Sequence, residues 1–220
     1  GLLWIVDVYS LVLAGLLVSA GTLGDRFGRK RLLLAGFAVF GAASVAAAVA
    51  KDPAVLIAAR AALGVGGALI MPATLSIIRA VFTDRRELSL AIGAWGAVGA
   101  GGAAAGPVIG GVLLQHFWWG SAFLVNVPVM VLAIGLGAWL LPESRASQAR
   151  RWDLASAGLS MTGMVALFYA VKNIGSHGVT VTGVVVAVLA VVLLVVFVRR
   201  QRRLDEPLLD LSLFADRAFA

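Results

Sequence analysis

The sequence predicts an all-helical integral membrane protein built as a bundle of about seven spanning helices. Three observations carry that prediction. Of its 220 residues, 61% are hydrophobic and only 13% are charged, with a mean hydropathy of +0.99, a composition outside the range of soluble domains. Apolar stretches close to the roughly 20 residues that a spanning helix needs recur along the chain. The cations fall in short clusters between those stretches.

The spans read at about 1–20, 32–50, 54–78, 88–114, 121–141, 154–171 and 179–198. The first two are joined by Gly21 to Arg31, GTLGDRFGRKR, in which four cations and one acid must lie in water, so it reads as a tight hairpin at a membrane surface. The second and third spans are joined by Lys51 to Pro53, the fourth and fifth by roughly Gln115 to Gly120, and the last two by roughly Lys172 to Gly178. Links that short predict antiparallel neighbours. The link from Pro142 to Asp153 is longer and polar, with Asp153 placed to N-cap the next helix. It marks the boundary between a first bundle over 1–143 and an extra helix pair over 144–200, with 201–220 as a following cytoplasmic loop. Trp4, Trp118, Trp119 and Trp152 fall near span ends, where an amphipathic indole prefers to sit.

Basic residues in alternate loops set the orientation. One set of loops holds Arg26, Arg29, Lys30, Arg31, Arg79, Arg85, Arg86, Arg145, Arg150, Arg151, Arg199, Arg200, Arg202, Arg203 and Arg217, fifteen of the eighteen Lys and Arg. The opposite loops hold only Lys51 and Lys172, and Arg60 lies inside a span. The rich side is therefore assigned to the cytoplasm. Gly1 then begins on the outer side inside an apolar segment, without an initiator methionine, so the chain reads as a fragment to which a missing upstream span leads.

Several function classes are excluded by composition. The net charge of +7 does not signal nucleic-acid binding, because the cations form no face on a soluble body. With no cysteine, and with His116 and His177 in different loops, there is no metal or haem site. No nucleophile and base pair or phosphate loop appears, so the chain does not read as an enzyme.

Four features carry chemistry. Asp7 lies six residues, about 9 Å, below the outer end of its span, where a carboxylate is expected to face the bundle interior or a water-filled cavity. Arg60 lies at a similar depth in the third span, and its guanidinium, which cannot lose its proton, must find an acceptor. The two could share a polar site, with Arg60 lowering the pKa of Asp7; a partner in a missing span and a purely structural Arg60 on backbone carbonyls are the alternatives. Gly102, Gly106 and Gly110 recur every four residues along one helix face, flanked by Gly93 and Gly111 and broken by Pro107, which predicts a groove for a closely packed helix and a place to bend. In the hairpin, Asp25 and Arg29 are four apart and could bridge on a helical turn, while Gly21, Gly24 and Gly28 permit close approach.

These residues together resemble the major facilitator superfamily. Gly21 through Arg26, Gly28, Arg29 and Lys30 looks like the loop between its second and third helices; Arg60 with Gly64, Gly66 and Gly67 resembles its fourth-helix motif; and Gly93, Gly102, Gly106, Pro107, Gly110 and Gly111 resemble the fifth-helix signature of its antiporters. LWIVDVYSLVLAG, GALIMPATLS and PLLDLSLF, with the extra helix pair, are similar to the fourteen-helix drug:proton antiporters, in particular the quaternary-ammonium and multidrug efflux pumps. The resemblance covers the whole chain as helices 2 to 8 of fourteen. It implies export of lipophilic, often cationic drugs, dyes and antiseptics across a bacterial inner membrane, driven by the proton gradient without a cofactor. It also implies that Asp7 recognises cations or carries protons, that Arg60 is a proton-relay residue, and that Asp25 with Arg29 is a latch between two halves. The competing readings are an exporter of an endogenous antibiotic or lipid-like metabolite, and a non-transporting membrane receptor on the same fold.

Overall fold

The computed structural model describes residues 2–143 and 153–204. They form α1 (Leu2–Phe27), α2 (Arg29–Ala48), α3 (Pro53–Val81), α4 (Arg85–His116), α5 (Ser121–Leu124), α6 (Asn126–Leu140), α7 (Leu154–His177) and α8 (Val181–Gln201), with no strand among the described residues. The expectations for Arg145, Arg150, Arg151, Trp152 and Arg217, and for the middle of the Pro142–Asp153 link, lie outside the described residues, as do the side chains of Trp4 and Asp25.

Several helices start where the sequence supplies an acceptor for free backbone N–H groups. Asp52 accepts from the Ala54 N–H at 2.6 Å, with Pro53 at the first helical position, where its missing N–H costs nothing. Asp84 accepts from Arg86 and Glu87, and Thr180 from Gly183. Asp153 accepts from the Ser156 N–H at 3.1 Å, as its position before α7 predicts. The break between α5 and α6 falls where Pro128 removes a donor and its ring crowds the carbonyl four residues back, at Leu124.

Several expected boundaries are corrected. Residues 21–27 are the last two turns of α1 and no loop; the only non-helical residue between α1 and α2 is Gly28, at φ 103° and ψ 131°. That left-handed-side conformation suits glycine, and a Cβ there would also lie 2.5 Å from Glu143 Oε1. Polar residues continue a helix past the membrane surface as readily as they end it, so hydropathy alone places the turn too early. For the same reason α7 runs on to His177, which puts Lys172 inside a helix rather than in a loop. Among the described residues five spans, at Arg29–Ala48, Pro53–Val81, Arg85–His116, Ser121–Leu140 and Val181–Gln201, are long and apolar enough to cross a membrane. In α1 the apolar run is Ile5–Leu17, interrupted by Asp7, and α7 is diluted by serines, glycines, Lys172 and Asn173.

The helices pack as a row: α7 against α1, α1 against α3, α3 against α2, and α2 against α6, with α8 on α7. One apolar cluster joins Leu32, Leu33, Ala73 and Ile77, and a second joins Ala43, Ala47, Ala59 and Leu63. Alanine, glycine and serine dominate the buried positions, and the largest fully buried side chains are Ser44 and Ser156, while Val181 and Trp139 are more than four-fifths exposed. That distribution would be intolerable in water. In lipid it follows directly, because small residues let backbones approach and large aliphatic ones lose nothing by facing acyl chains.

α4 departs from the expectation of antiparallel packing against the next span. It touches α3 and α5 lightly and buries none of its residues. A Cβ built on Gly93, Gly102, Gly106, Gly110 or Gly111 would meet nothing within 4 Å, so the glycine face of α4 has no close neighbour among the described residues.

α7 and α8 close into a hairpin tied at both ends. At one end Arg200 Nε and Nη2 donate to the Asp153 carboxylate at 3.0 and 3.1 Å, and Gln201 Nε2 donates to Ser156 Oγ at 2.7 Å. At the other, Gly178 turns the chain at φ 74° and Thr180 Oγ1 donates to Asn173 Oδ1. The Arg200 hydrogen bonds hold the Asp153 carboxyl at about 2, below its ordinary 3.8. Because the folded-state pKa is depressed, this contact stabilises the hairpin above about pH 4 and is lost as pH falls toward 2. The expected result is a melting temperature in detergent that drops across that window, and a flatter drop for Asp153→Asn.

Candidate functional site

Asp7, Arg60 and Lys172 meet at the end of the bundle away from Gly28. α1 carries Asp7 on its second turn, α3 carries Arg60 two turns in from Pro53, and α7 carries Lys172 in its closing turns. Asp7 forms an ion pair with Lys172, and the two side chains are 22% and 21% exposed. Arg60 does not pair with Asp7. Its Nε donates to the Ile5 carbonyl at 2.8 Å and its Nη2 to the Val6 carbonyl at 3.1 Å, while its guanidinium lies 5.1 Å from the centre of the Tyr9 ring.

The chemistry explains this partition. Helix carbonyls keep a second lone pair, and a planar guanidinium presents several donors in a fixed fork, so two successive carbonyls can take two of the Arg60 N–H groups without an acid. The Tyr9 face adds a cation–π contact. The shared site expected for Asp7 and Arg60 is therefore shared through the backbone of α1: Arg60 grips residues 5 and 6, and Asp7 next along reaches across to α7.

Glycines of α3 make that grip possible. Gly64 lies one turn beyond Arg60 on the same face, and a Cβ there would sit 2.7 Å from the Tyr9 carbonyl and 2.9 Å from Val12 Cβ. Gly67 faces Leu13, and Gly66 faces the other way, with a Cβ 2.8 Å from the Phe40 nitrogen. α3 is thus pressed between α1 and α2 at one level, which brings the α1 carbonyls within reach of Arg60.

At the opposite end the basic residues after Gly28 clasp neighbouring helices. Arg29 Nη1 donates to the Ser76 carbonyl of α3 at 3.4 Å, Lys30 Nζ donates to the Ala138 carbonyl of α6 at 2.8 Å, and Arg31 Nε lies 3.6 Å from Glu143 Oε2. Arg26 rests over the Phe27 ring. Gly24 and Gly21 meet Leu32 and Pro72 at ordinary distances. Gly28 separates the helices that bear Asp25 and Arg29, so they do not share a helical turn.

Between the Gly28-end half of α3 and the first half of α4 opens an apolar groove of about 660 Å³, lined by Met71, Thr74, Phe82 and Trp95 among others. No group of three or more His, Cys, Asp or Glu among the described residues is arranged to hold a metal.

Lys172 is the site residue that the sequence does not announce as a partner. A signal for it exists: it is a cation about as far from the end of α7 as Asp7 is from the start of α1, with opposite sign.

The family described as Major Facilitator Superfamily matches residues 2–214. The chain is 48% identical over 212 residues to the multidrug efflux pump LfrA of Mycolicibacterium smegmatis, covering 96% of this chain and 42% of that protein. It is 42% identical over 217 residues to the methyl viologen resistance protein SmvA of Salmonella typhimurium, covering 98% and 44%. It is 40% identical over 215 residues to the puromycin resistance protein pur8 of Streptomyces alboniger, covering 97% and 42%. The chain spans less than half the length of these relatives.

Proposed function

This chain belongs to the Major Facilitator Superfamily, and from that premise we propose that it forms part of an exporter of lipophilic, often cationic drugs that runs by alternating access in exchange for protons. The observation that carries the reading is the Asp7 carboxylate, held among apolar helices at a fixed place on α1. A carboxylate in such a setting binds a cation or a proton but not both, which is the elementary requirement of antiport. The names of LfrA and SmvA agree with this.

In this reading residues 1–143 belong to the first bundle, 144–200 to a linking helix pair, and 201–220 to a cytoplasmic connection toward a second bundle. The Gly28 end faces the cytoplasm of a bacterial cell and the Asp7 end faces outward. Asp7 is the cation-recognising and proton-carrying acid. Arg60 is read as a positioning residue, since two of its N–H groups hold the Ile5 and Val6 carbonyls of the helix that carries Asp7. The clasp of Arg29, Lys30 and Arg31 holds the cytoplasmic ends of α3 and α6, and the glycine face of α4 takes a helix from elsewhere in the protein.

The test is ethidium efflux from cells expressing the full-length protein, with and without collapse of the proton gradient. Efflux is expected to stop on collapse, and Asp7→Asn is expected to lower it about tenfold, the equivalent of one charge-assisted contact of about 1.4 kcal/mol. Efflux that survives collapse of the gradient overturns the coupling. The name of pur8 favours a second reading, a dedicated antibiotic exporter; antibiotic efflux without any cation efflux would select it.

A further inference from the structure

The two cations at the Asp7 end differ in kind. Arg60 is fixed at two backbone carbonyls and laid over Tyr9, so a change of charge at Asp7 leaves its contacts in place. Lys172 is bound to Asp7 through an ammonium on a flexible four-carbon stem. Each member of that pair keeps about a fifth of its side chain exposed, 21% for Lys172 and 22% for Asp7, so the described residues do not seal the pair off. The pair also joins residues 165 apart in sequence, linking α1 to α7.

We propose that Lys172 is a tethered competitor for Asp7: it occupies the carboxylate when no ligand cation is bound and gives way to a lipophilic cation, and so sets how selective the site is. A small hydrated inorganic cation would exchange one ion contact for another and gain nothing over the lysine. A neutral molecule offers the carboxylate no charge to replace the one withdrawn. A lipophilic organic cation brings the charge and also buries apolar surface against α1 and α7, which the lysine cannot match. The inference rests on the reading of Asp7 as the cation-recognising acid.

The size of the effect follows from mass action. A ligand that binds only the open carboxylate sees its affinity reduced by the open fraction, so a lysine that closes the site about nine-tenths of the time weakens binding about tenfold.

The experiment measures tetraphenylphosphonium binding to the full-length protein in detergent. Lys172→Gln is expected to bind about tenfold more tightly than wild type, and Lys172→Arg close to wild type. Asp7→Asn is expected to bind weakly, and the double variant Asp7→Asn/Lys172→Gln no better than Asp7→Asn alone. A Lys172 that only docked α7 would give weaker binding in Lys172→Gln, not tighter. Equal or weaker binding by Lys172→Gln, with binding still dependent on Asp7, overturns the tethered competitor and leaves the proposed function standing. Binding unaffected by Asp7→Asn overturns the role of Asp7 itself. If Lys172→Gln does not fold, amine-reactive labelling of Lys172 in the wild type decides the matter. Labelling faster with tetraphenylphosphonium than with a neutral drug of similar size supports the proposal; labelling unchanged or slower with it overturns it.

Discussion

Arg60→Ala in the full-length protein is expected to reduce cation efflux about thirtyfold and to lower thermal stability in detergent, with Arg60→Lys recovering only part of the loss. The guanidinium makes two charge-assisted hydrogen bonds to the Ile5 and Val6 carbonyls, at 2.8 and 3.1 Å, and stacks on Tyr9. Hydrogen bonds to a charged group contribute roughly 1.5–3 kcal/mol each. Alanine removes both and frees the stretch of α1 that carries Asp7, and a misplacement costing about 2 kcal/mol is a factor of about thirty. Lysine restores a cation but offers a rotating point charge in place of the planar fork, so it cannot reproduce the paired carbonyl geometry together with the contact on Tyr9. Efflux assays at matched membrane expression, paired with melting curves, check this. Full recovery by lysine would show that charge alone matters at this position and would remove the positioning role.

The second large effect concerns glycines that look alike in sequence and differ in their surroundings. Gly64→Ala and Gly66→Ala are each expected to destabilise this helical half by about 1–3 kcal/mol, the usual cost of overpacking. Their added methyls would come within 2.7 Å of the Tyr9 carbonyl and 2.8 Å of the Phe40 nitrogen, both backbone atoms that cannot rotate aside. Gly64→Ala should in addition lower cation efflux, because it pushes α1 away from Arg60. Gly102→Ala and Gly106→Ala meet nothing within 4 Å and, by helix propensity, should leave the stability of this half unchanged or slightly raised. If they abolish efflux while the melting curve of this half stays put, the glycine face of α4 works against a segment outside the described residues. Equal destabilisation by all four would contradict the packing.

The spans are legible in the sequence because an apolar stretch of membrane-crossing length, bounded by charge, is hard to accommodate anywhere but in lipid. The motif glycines are legible because their spacing marks a helix face. What stays hidden is of two kinds. One is where helices stop: Gly21 to Phe27 and Lys172 to His177 are polar enough to be loops, yet nothing in them breaks a helix, and α1 and α7 continue through. The other is pairing across long stretches of chain. A charge such as Arg60 inside a span points first to an acid, whereas here the backbone serves. Lys172 reads only as a topology signal, although it binds Asp7. The approach of Glu143 to Gly28 joins positions that no local pattern connects.

The single residue between α1 and α2 has a mechanical consequence. A flexible loop would absorb a tilt of α1 as slack, but Gly28 offers one pair of backbone torsions, and the residues just beyond it are fastened through Arg29 to α3 and through Lys30 to α6. In the alternating-access reading proposed above, a swing of α1 at its Asp7 end, carrying α3 with it through Arg60, would be passed on to α6 at the Gly28 end of the bundle.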